Sequence, residues 1–361
     1  MIKTKLTIFS ALASSALVLS GCSSSDTTNA TDTATPQSEA TASAASESPS
    51  PSETGSVSVI ATTTMLGDVA NNIISCAGGT TTVLMPVGAE PHDFSASSEQ
   101  IASMVNADLV ISNGLGLESG LTDALENAAN DGANVIEIAA LINPIKFGSG
   151  GHDDHSDEEG HDDHSDEEGH DDHSDEEGHD DHGHGDLDPH FWFDMNRMAD
   201  AAQLIGAELT QITGDLGYTT CADTTATQIQ AAESDVREIL VSIPVENRIL
   251  VTDHDALGYL ADLYGYEVAG TVIPAGTTSA SPSSGDLAAL VATIKAEGVT
   301  AIFANTAEPT ALADAVAAEI GGNVSVITLY VGSLGGPDSP AATYIDMMRT
   351  NAALIAQGLQ G

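Results

Sequence analysis

Short apolar runs rich in β-branched residues alternate with helix-length stretches on both sides of a long acidic interruption, and this alternation limits the fold most. Val57-Ser58-Val59-Ile60-Ala61, Thr82-Val83-Leu84-Met85, Leu109-Val110-Ile111 and Val135-Ile136-Glu137-Ile138 predict strands, with helices expected over about 65–75, 98–106 and 117–128. Beyond the interruption, Asp194 or Asn196 can cap a helix reaching about Thr210, and another is expected from about Thr224 to Ser242, ending before Pro244. Strands are then predicted at Ile249-Leu250-Val251, Glu267-Val268-Ala269, Ala301-Ile302-Phe303 and Val326-Ile327-Thr328-Leu329, with helices over about 256–264, 286–296, 310–319 and 341–356. Such alternation indicates βαβ units and parallel sheets. The expected class is α/β, two lobes with helical material between them. Ligands of such sheets sit beyond the carboxyl ends of the strands.

The interruption repeats G-H-D-D-H-S-D-E-E from Gly151 and places nine histidines, His152, His155, His161, His164, His170, His173, His179, His182 and His184, among carboxylates. It has almost no apolar side chains to bury. Its imidazoles and carboxylates are ligands for borderline divalent cations, so the stretch over 151–187 reads as an auxiliary, low-affinity metal loop. Pairs such as His152/His155 and His161/His164 are close enough along the chain to share an ion. The plain alternative is a solvated insertion that grew by repeat expansion.

The amino terminus reads as an export signal, with Lys3 and Lys5 ahead of an apolar stretch from Leu6 to Leu19. That stretch is shorter than the roughly 20 residues a spanning helix needs. Leu19-Ser20-Gly21-Cys22 resembles a bacterial lipobox, which makes 1–22 a lipoprotein signal and Cys22 the lipidated residue. Lipid there would hold the mature protein to the outer face of the cell membrane. Ser, Thr, Ala, Pro and Glu without hydrophobic period over 23–56 read as a disordered tether. What remains, roughly 270 residues, suffices for two lobes. A net charge of −46 leaves no basic patch for nucleic acid and favours cationic ligands. In an exported chain, Cys76 and Cys221 can pair as a disulfide or stay as separate thiols; the bridge is the favoured expectation.

Only His92, His190 and His254 lie outside the tract. His92 follows a predicted strand in the proline-stiffened P-V-G-A-E-P-H-D-F. His190 lies in D-L-D-P-H-F-W-F-D, among bulky aromatics that can exclude water. His254 directly follows Ile249-Leu250-Val251. One such histidine alone reads as structural. Two at strand mouths in different lobes, with a third in a rigid aromatic loop, indicate three imidazoles converging in the cleft.

G-A-E-P-H-D-F (88–94), D-P-H-F-W-F-D (188–194), H-D-A-L-G-Y-L-A-D-L-Y-G (254–265), A-I-F-A-N-T (301–306), L-Y-V-G-S-L-G (329–335) and Y-I-D-M-M-R-T-N-A (344–352) together resemble the ZnuA/TroA-like solute-binding lipoproteins of zinc and manganese ABC transporters. The resemblance runs from Val57 almost to the end. It implies two Rossmann-like lobes, an N-terminal lobe over 57–221 and a C-terminal lobe over 244–361, joined by a long helix over 222–243. It also implies one ion in the interlobe cleft held by His92, His190 and His254, and partners in an ABC permease and its ATPase. A monomer is expected. Members often carry a fourth, carboxylate ligand where this chain has Gly332. Water, or Glu90, Asp253 or Asp338, can then complete the shell.

Three neutral imidazoles suit Zn2+ better than Mn2+, which prefers harder oxygen donors. The expected function is therefore the extracytoplasmic zinc-binding component of an importer, with a manganese-binding homologue as the alternative. A zinc-dependent hydrolase would share the three-histidine plan, but the chain has no H-E-x-x-H helix and no nucleophile motif, so no enzyme is expected. A surface zinc store or adhesin without a transporter is the other rival.

Overall fold

The computed structural model describes residues 56–148, 186–321 and 324–360. The export signal, Cys22, the tether up to residue 55 and all nine tract histidines lie outside the described residues. Everything described falls within one contiguous unit. No helix among the described residues is long and apolar enough to cross a membrane.

Two four-stranded parallel sheets organise the chain. Strands β1 (Ser58–Ala61), β2 (Thr80–Val83), β3 (Leu109–Ser112) and β4 (Val135–Glu137) form the first, in the order β2-β1-β3-β4. Strands β5 (Ile249–Thr252), β6 (Glu267–Thr271), β7 (Ala301–Asn305) and β8 (Ser325–Leu329) form the second, in the same relative order, β6-β5-β7-β8. Every pairing is parallel. In each sheet the chain first winds outward from its founding strand and then returns to the other side. The crevices between β1 and β3, and between β5 and β7, are therefore the topological switch points where α/β sheets receive ligands.

Helices α1 (Thr64–Ala77), α2 (Ser98–Val105) and α3 (Thr122–Asn130) serve the first sheet. Helices α6 (Gly258–Tyr264), α7 (Ser284–Glu297), α8 (Ala311–Ile320) and α9 (Tyr344–Leu359) serve the second. Between the lobes run α4 (Met195–Thr213) and α5 (Gly217–Val241). The N-cap carboxylate of α4 is Asp194, which accepts from the Asn196 and Arg197 amides and pairs with the Arg197 guanidinium. Gly206 lets α4 lie against α5, since a Cβ there would run into that of Ala222.

Helix α5 begins five residues before the expected linking helix. Its opening sequence, rich in threonine, carries weak helical propensity. The hydroxyls of Thr220, Thr224, Thr225 and Thr227 instead donate to the carbonyls four residues earlier, absorbing them into the helix. At its start, Cys221 is disulfide-bonded to Cys76 at the end of α1, and Tyr218 Oη donates to the Gly78 carbonyl at 2.6 Å. At its end, Arg248 donates to the carbonyls of Val241, Ile243 and Tyr264, and Tyr266 Oη to that of Leu240. The helix is thus fastened covalently to one lobe and by hydrogen bonds to the other.

Strand β2 lies two residues earlier than the apolar run Thr82–Met85 suggested. It is an edge strand with largely exposed side chains, so polar Thr80 and Thr81 join the ladder. Leu84 and Met85, both buried, lie past its end and pack into the first lobe's outer core. One hydrophobic core spans both lobes through α1, α5, α9 and the buried run Phe191-Trp192-Phe193. Trp192 Nε1 donates to the Val331 carbonyl at 3.1 Å, and Tyr344 Oη to the Trp192 carbonyl at 2.6 Å. A continuous core behind the cleft makes the relative placement of the lobes stiff.

Candidate metal centre

Each of the three histidines reaches the cleft from a different kind of element. His92 stands on the loop between β2 and α2. Its neighbour Pro91 restricts that loop, and the Ser119 hydroxyl donates to the His92 carbonyl at 2.7 Å. His190 precedes the short 3-10 turn Phe191–Phe193, and Asn113 Nδ2, just past β3, donates to the Pro189 carbonyl at 2.9 Å. His254 lies two residues past β5, and its own carbonyl accepts from Thr252 Oγ1 at 2.7 Å.

The three rings converge. Their centroids lie 5.4 Å (His92–His190), 5.6 Å (His92–His254) and 5.2 Å (His190–His254) apart. One ligating atom from each falls within 4.8 Å of the others, and His92 Nε2 and His190 Nε2 are 3.3 Å apart. All three residues are buried. Such spacing of nitrogen lone pairs is repulsive by itself and fits a shared central cation.

Carboxylates set two of the tautomers. Asp188 Oδ1 lies 2.8 Å from His190 Nδ1 and also accepts the His190 amide at 2.8 Å. Asp253 Oδ1 lies 3.1 Å from His254 Nδ1, and its Oδ2 accepts the Asn305 amide at 2.9 Å. Protonated Nδ1 atoms on these contacts leave Nε2 free as a metal donor, the arrangement that outer-shell carboxylates give ligand histidines. The second oxygen of Asp188 is fully buried and has no hydrogen-bond partner among the described residues. Burial raises Asp188 to about 7, against the backbone hydrogen bond from His190.

Burial depresses His92 to about 2, helped by the neighbouring His190 and His254. It also holds His190 well below its ordinary value. Burial acts against the charged form of His254 too, but the hydrogen bond and charge of Asp253, with Glu90, outweigh it and raise that imidazole. His92 and His190 are therefore neutral across the physiological range, whereas Asp253 makes the His254 ring the easiest of the three to protonate.

Of the carboxylates considered for a fourth ligand, Asp338 is exposed in the turn that it forms with Pro337. Asp253 is engaged behind His254. Glu90 is buried at the site, with Oε1 3.9 Å from His92 Nε2 and Oε2 accepting from Asn305 Nδ2 at 2.7 Å. Burial pushes Glu90 up to about 7. Asp188, Asn113 and Asn305 were not singled out from sequence. A carboxylate two positions before His190 was the available signal for Asp188. The two asparagines gave none, because what they hold lies 76 and 215 residues away.

The stems of the histidine-rich tract open beside this site. Lys146 and Leu187 form an antiparallel bridge, the Phe147 amide donates to the Asp186 carbonyl, and the Asp188 amide to that of Ile145. The Phe147 ring lies 6.4 Å from that of His190.

Fold and site together define a two-lobed α/β binding protein with a buried imidazole cluster between its sheets. The chain belongs to the family described as zinc-uptake complex component A, periplasmic, whose model matches residues 59–358. It is 24% identical over 305 residues to the manganese-binding lipoprotein MntA of Halalkalibacterium halodurans, covering 84% of this chain and 88% of that one. It is 26% identical over 318 residues to the zinc-binding protein TroA of Treponema pallidum, covering 84% and 89%. The iron-binding protein YfeA of Yersinia pestis is 25% identical over 302 residues, covering 83% and 85%. Among solved structures, the periplasmic zinc-binding protein TroA of Treponema pallidum superposes with a TM-score of 0.68 at 26% identity, over 84% of this chain and 99% of that one. The chain is a binding component of this family, not an enzyme.

Proposed function

We propose that the protein captures Zn2+ outside the cytoplasm with His92, His190 and His254 and delivers it to an ABC permease driven by its ATPase. The convergence of three buried imidazoles from three separate segments carries this reading. Three neutral nitrogen donors favour a borderline cation over a harder one, so zinc is placed before manganese. Manganese stays as the alternative because a relative named for it matches over the same share of the chain as one named for zinc. The imidazoles replace the ion's water shell, and the loaded protein presents its cleft to the permease. Since one core runs behind both lobes, loading moves loops rather than swinging the lobes wide, and solution scattering without and with zinc should give nearly the same radius of gyration.

The anchor in this reading is lipid on Cys22, and the chain acts as a monomer. Cys22 and the tract lie outside the described residues, so their roles rest on their sequences. The nine histidines from His152 to His184 serve as a low-affinity collector, which the position of the tract's stems beside His190 supports.

The deciding experiment is metal content and competition binding of the protein lacking 151–185, with alanine in turn at His92, His190 and His254. Each alanine should weaken the tight site severely. The deletion should lower the number of bound ions and leave the tight site intact. Retention of tight binding by all three alanine variants would sink the assignment, and unchanged stoichiometry on deletion would refute the collector.

A further inference from the structure

We infer that Glu90 is the fourth ligand of the ion, and that residue 332 is glycine because the Pro91 ring and the Glu90 carboxylate fill its space. This rests on the reading that the three histidines hold a divalent cation, and it completes their shell. Three imidazoles leave one position of a tetrahedral ion to be filled. Asp188 and Asp253 are engaged on the far sides of His190 and His254, which leaves Glu90. Its side chain is 7% exposed. Oε2 is gripped by Asn305 Nδ2 from the other lobe. Oε1 faces His92 Nε2 at 3.9 Å, and its one hydrogen bond among the described residues is a long one from the His92 amide, 3.4 Å. A buried carboxylate costs free energy unless its oxygens are engaged, and a cation held by the adjacent imidazoles engages this one.

The space for it is made at Gly332. A Cβ at that position would stand 2.9 Å from Glu90 Oε2 and 2.8 Å from Pro91 Cδ. No side chain fits there while Pro91 and Glu90 lie where they do. The carboxylate that the family resemblance places on the second lobe thus enters from the first, on the loop that already bears His92. Oε1 lies outside the tight group of three imidazole atoms. Ligation draws it inward by rotation about its own side-chain torsions, with Asn305 acting as a positioning residue on the opposite oxygen.

The test uses the full chain with Zn2+ in competition assays and Co2+ as an optical probe of coordination. Glu90→Gln keeps the shape and removes the charge. It should weaken zinc by about 100-fold and alter the visible Co2+ bands. Gly332→Ala should weaken zinc by about tenfold through displacement of Glu90 and of Pro91 on the same loop, yet add less than its own effect when combined with Glu90→Gln, the non-additivity expected of residues in contact. The melting transition of each metal-free variant checks the fold. Zinc affinity of Glu90→Gln within about twofold of the parent, with an unchanged Co2+ spectrum, overturns the assignment, as does full additivity of the two changes. His190→Ala separates the two readings. If it loses tight binding while Glu90→Gln does not, only the Glu90 assignment falls. If it binds as tightly as the parent, the imidazole site falls and the fourth ligand with it.

Discussion

The two lobes share one strand order and use it differently. At the first lobe's switch point, between β1 and β3, the buried Glu118 accepts from Thr62 Oγ1 at 2.6 Å, from the Asn113 amide at 2.7 Å and from the Gly114 amide at 3.0 Å. The crevice is closed by a carboxylate tied to its own backbone. At the second lobe's switch point, between β5 and β7, Asp253 binds the Asn305 amide with one oxygen and turns the other to His254. There the carboxylate supports an imidazole of the cluster. Only the second lobe presents its histidine at the switch point itself. The first lobe supplies His92 from a loop past its edge strand, and Asn113 reaches the carbonyl beside His190. The same topology thus offers a crevice twice, and the side chains after the strands decide whether a histidine or a sealing carboxylate occupies it.

The lobes also differ in how they grip α5, and this gives the largest expected effect. Replacing Cys76 and Cys221 by serine opens a loop spanning 145 residues and should cost about 4–5 kcal/mol in denaturant unfolding. Zinc affinity should barely change, because the bridge is remote from the cleft; a large loss of affinity would show that the first lobe's orientation depends on it. Next comes His254→Ala. If four ligands share about 10–16 kcal/mol of binding, one lost imidazole costs about 2.5–4 kcal/mol, on the order of several hundredfold in affinity, measurable by competition with a chelator. His92→Ala should cost less if its loop can relax and admit water, so equal losses would argue that the loop is as rigid as the strand mouth.

A smaller effect separates the two carboxylates. Glu118→Ala leaves three buried donors without their acceptor and should destabilise the fold by about 2–3 kcal/mol, with little change in zinc affinity. Asp253→Asn should do the reverse, weakening zinc by about 10–100-fold at modest cost in stability. Calorimetry and competition binding on both variants test the contrast; matching profiles would break it.

The mildest prediction concerns pH. His254 is raised, so it holds its proton above the ordinary imidazole range, whereas His92, at about 2, and His190, well below its ordinary value, are neutral there. Zinc competes with the His254 proton, so affinity should fall as pH is lowered through that value, by roughly tenfold per unit once the proton is held. Asp253→Asn removes the partner that raises His254 and should shift the fall to lower pH. A profile steeper than one proton would mean that the first-lobe histidine titrates as well.

Much of this was legible along the chain. The βα alternation carried the strand count and the parallel sheets, because buried parallel strands must be continuously apolar, as Leu109–Ile111 and Ala301–Phe303 are. Edge strand β2 was misplaced by two residues for the same reason: an exposed edge needs no apolar run, and the apolar residues that follow it serve another core. The start of α5, Gly217–Cys221, was missed because glycine and threonine are weak helix formers, and what steadies it is tertiary: Thr219 Oγ1 bonds Thr210 Oγ1 on α4 and Cys221 is bridged to Cys76. Of the site, the histidines stood out by their scarcity outside the tract and by their place at strand mouths and in a stiffened aromatic loop.

Sequence by itself therefore determined the parallel α/β plan, the family and the three histidines, since periodicity, proline-bounded loops and residue chemistry are local properties. Tertiary structure alone decided which groups stand behind and between those histidines. The Asp188 and Asp253 contacts, the Asn305 grip on Glu90, the notch at Gly332 and the sealing of one crevice by Glu118 all depend on distances across the fold. Several of them join residues up to 215 positions apart, and no pattern along a chain encodes a separation in space between segments that meet only when both sheets are folded.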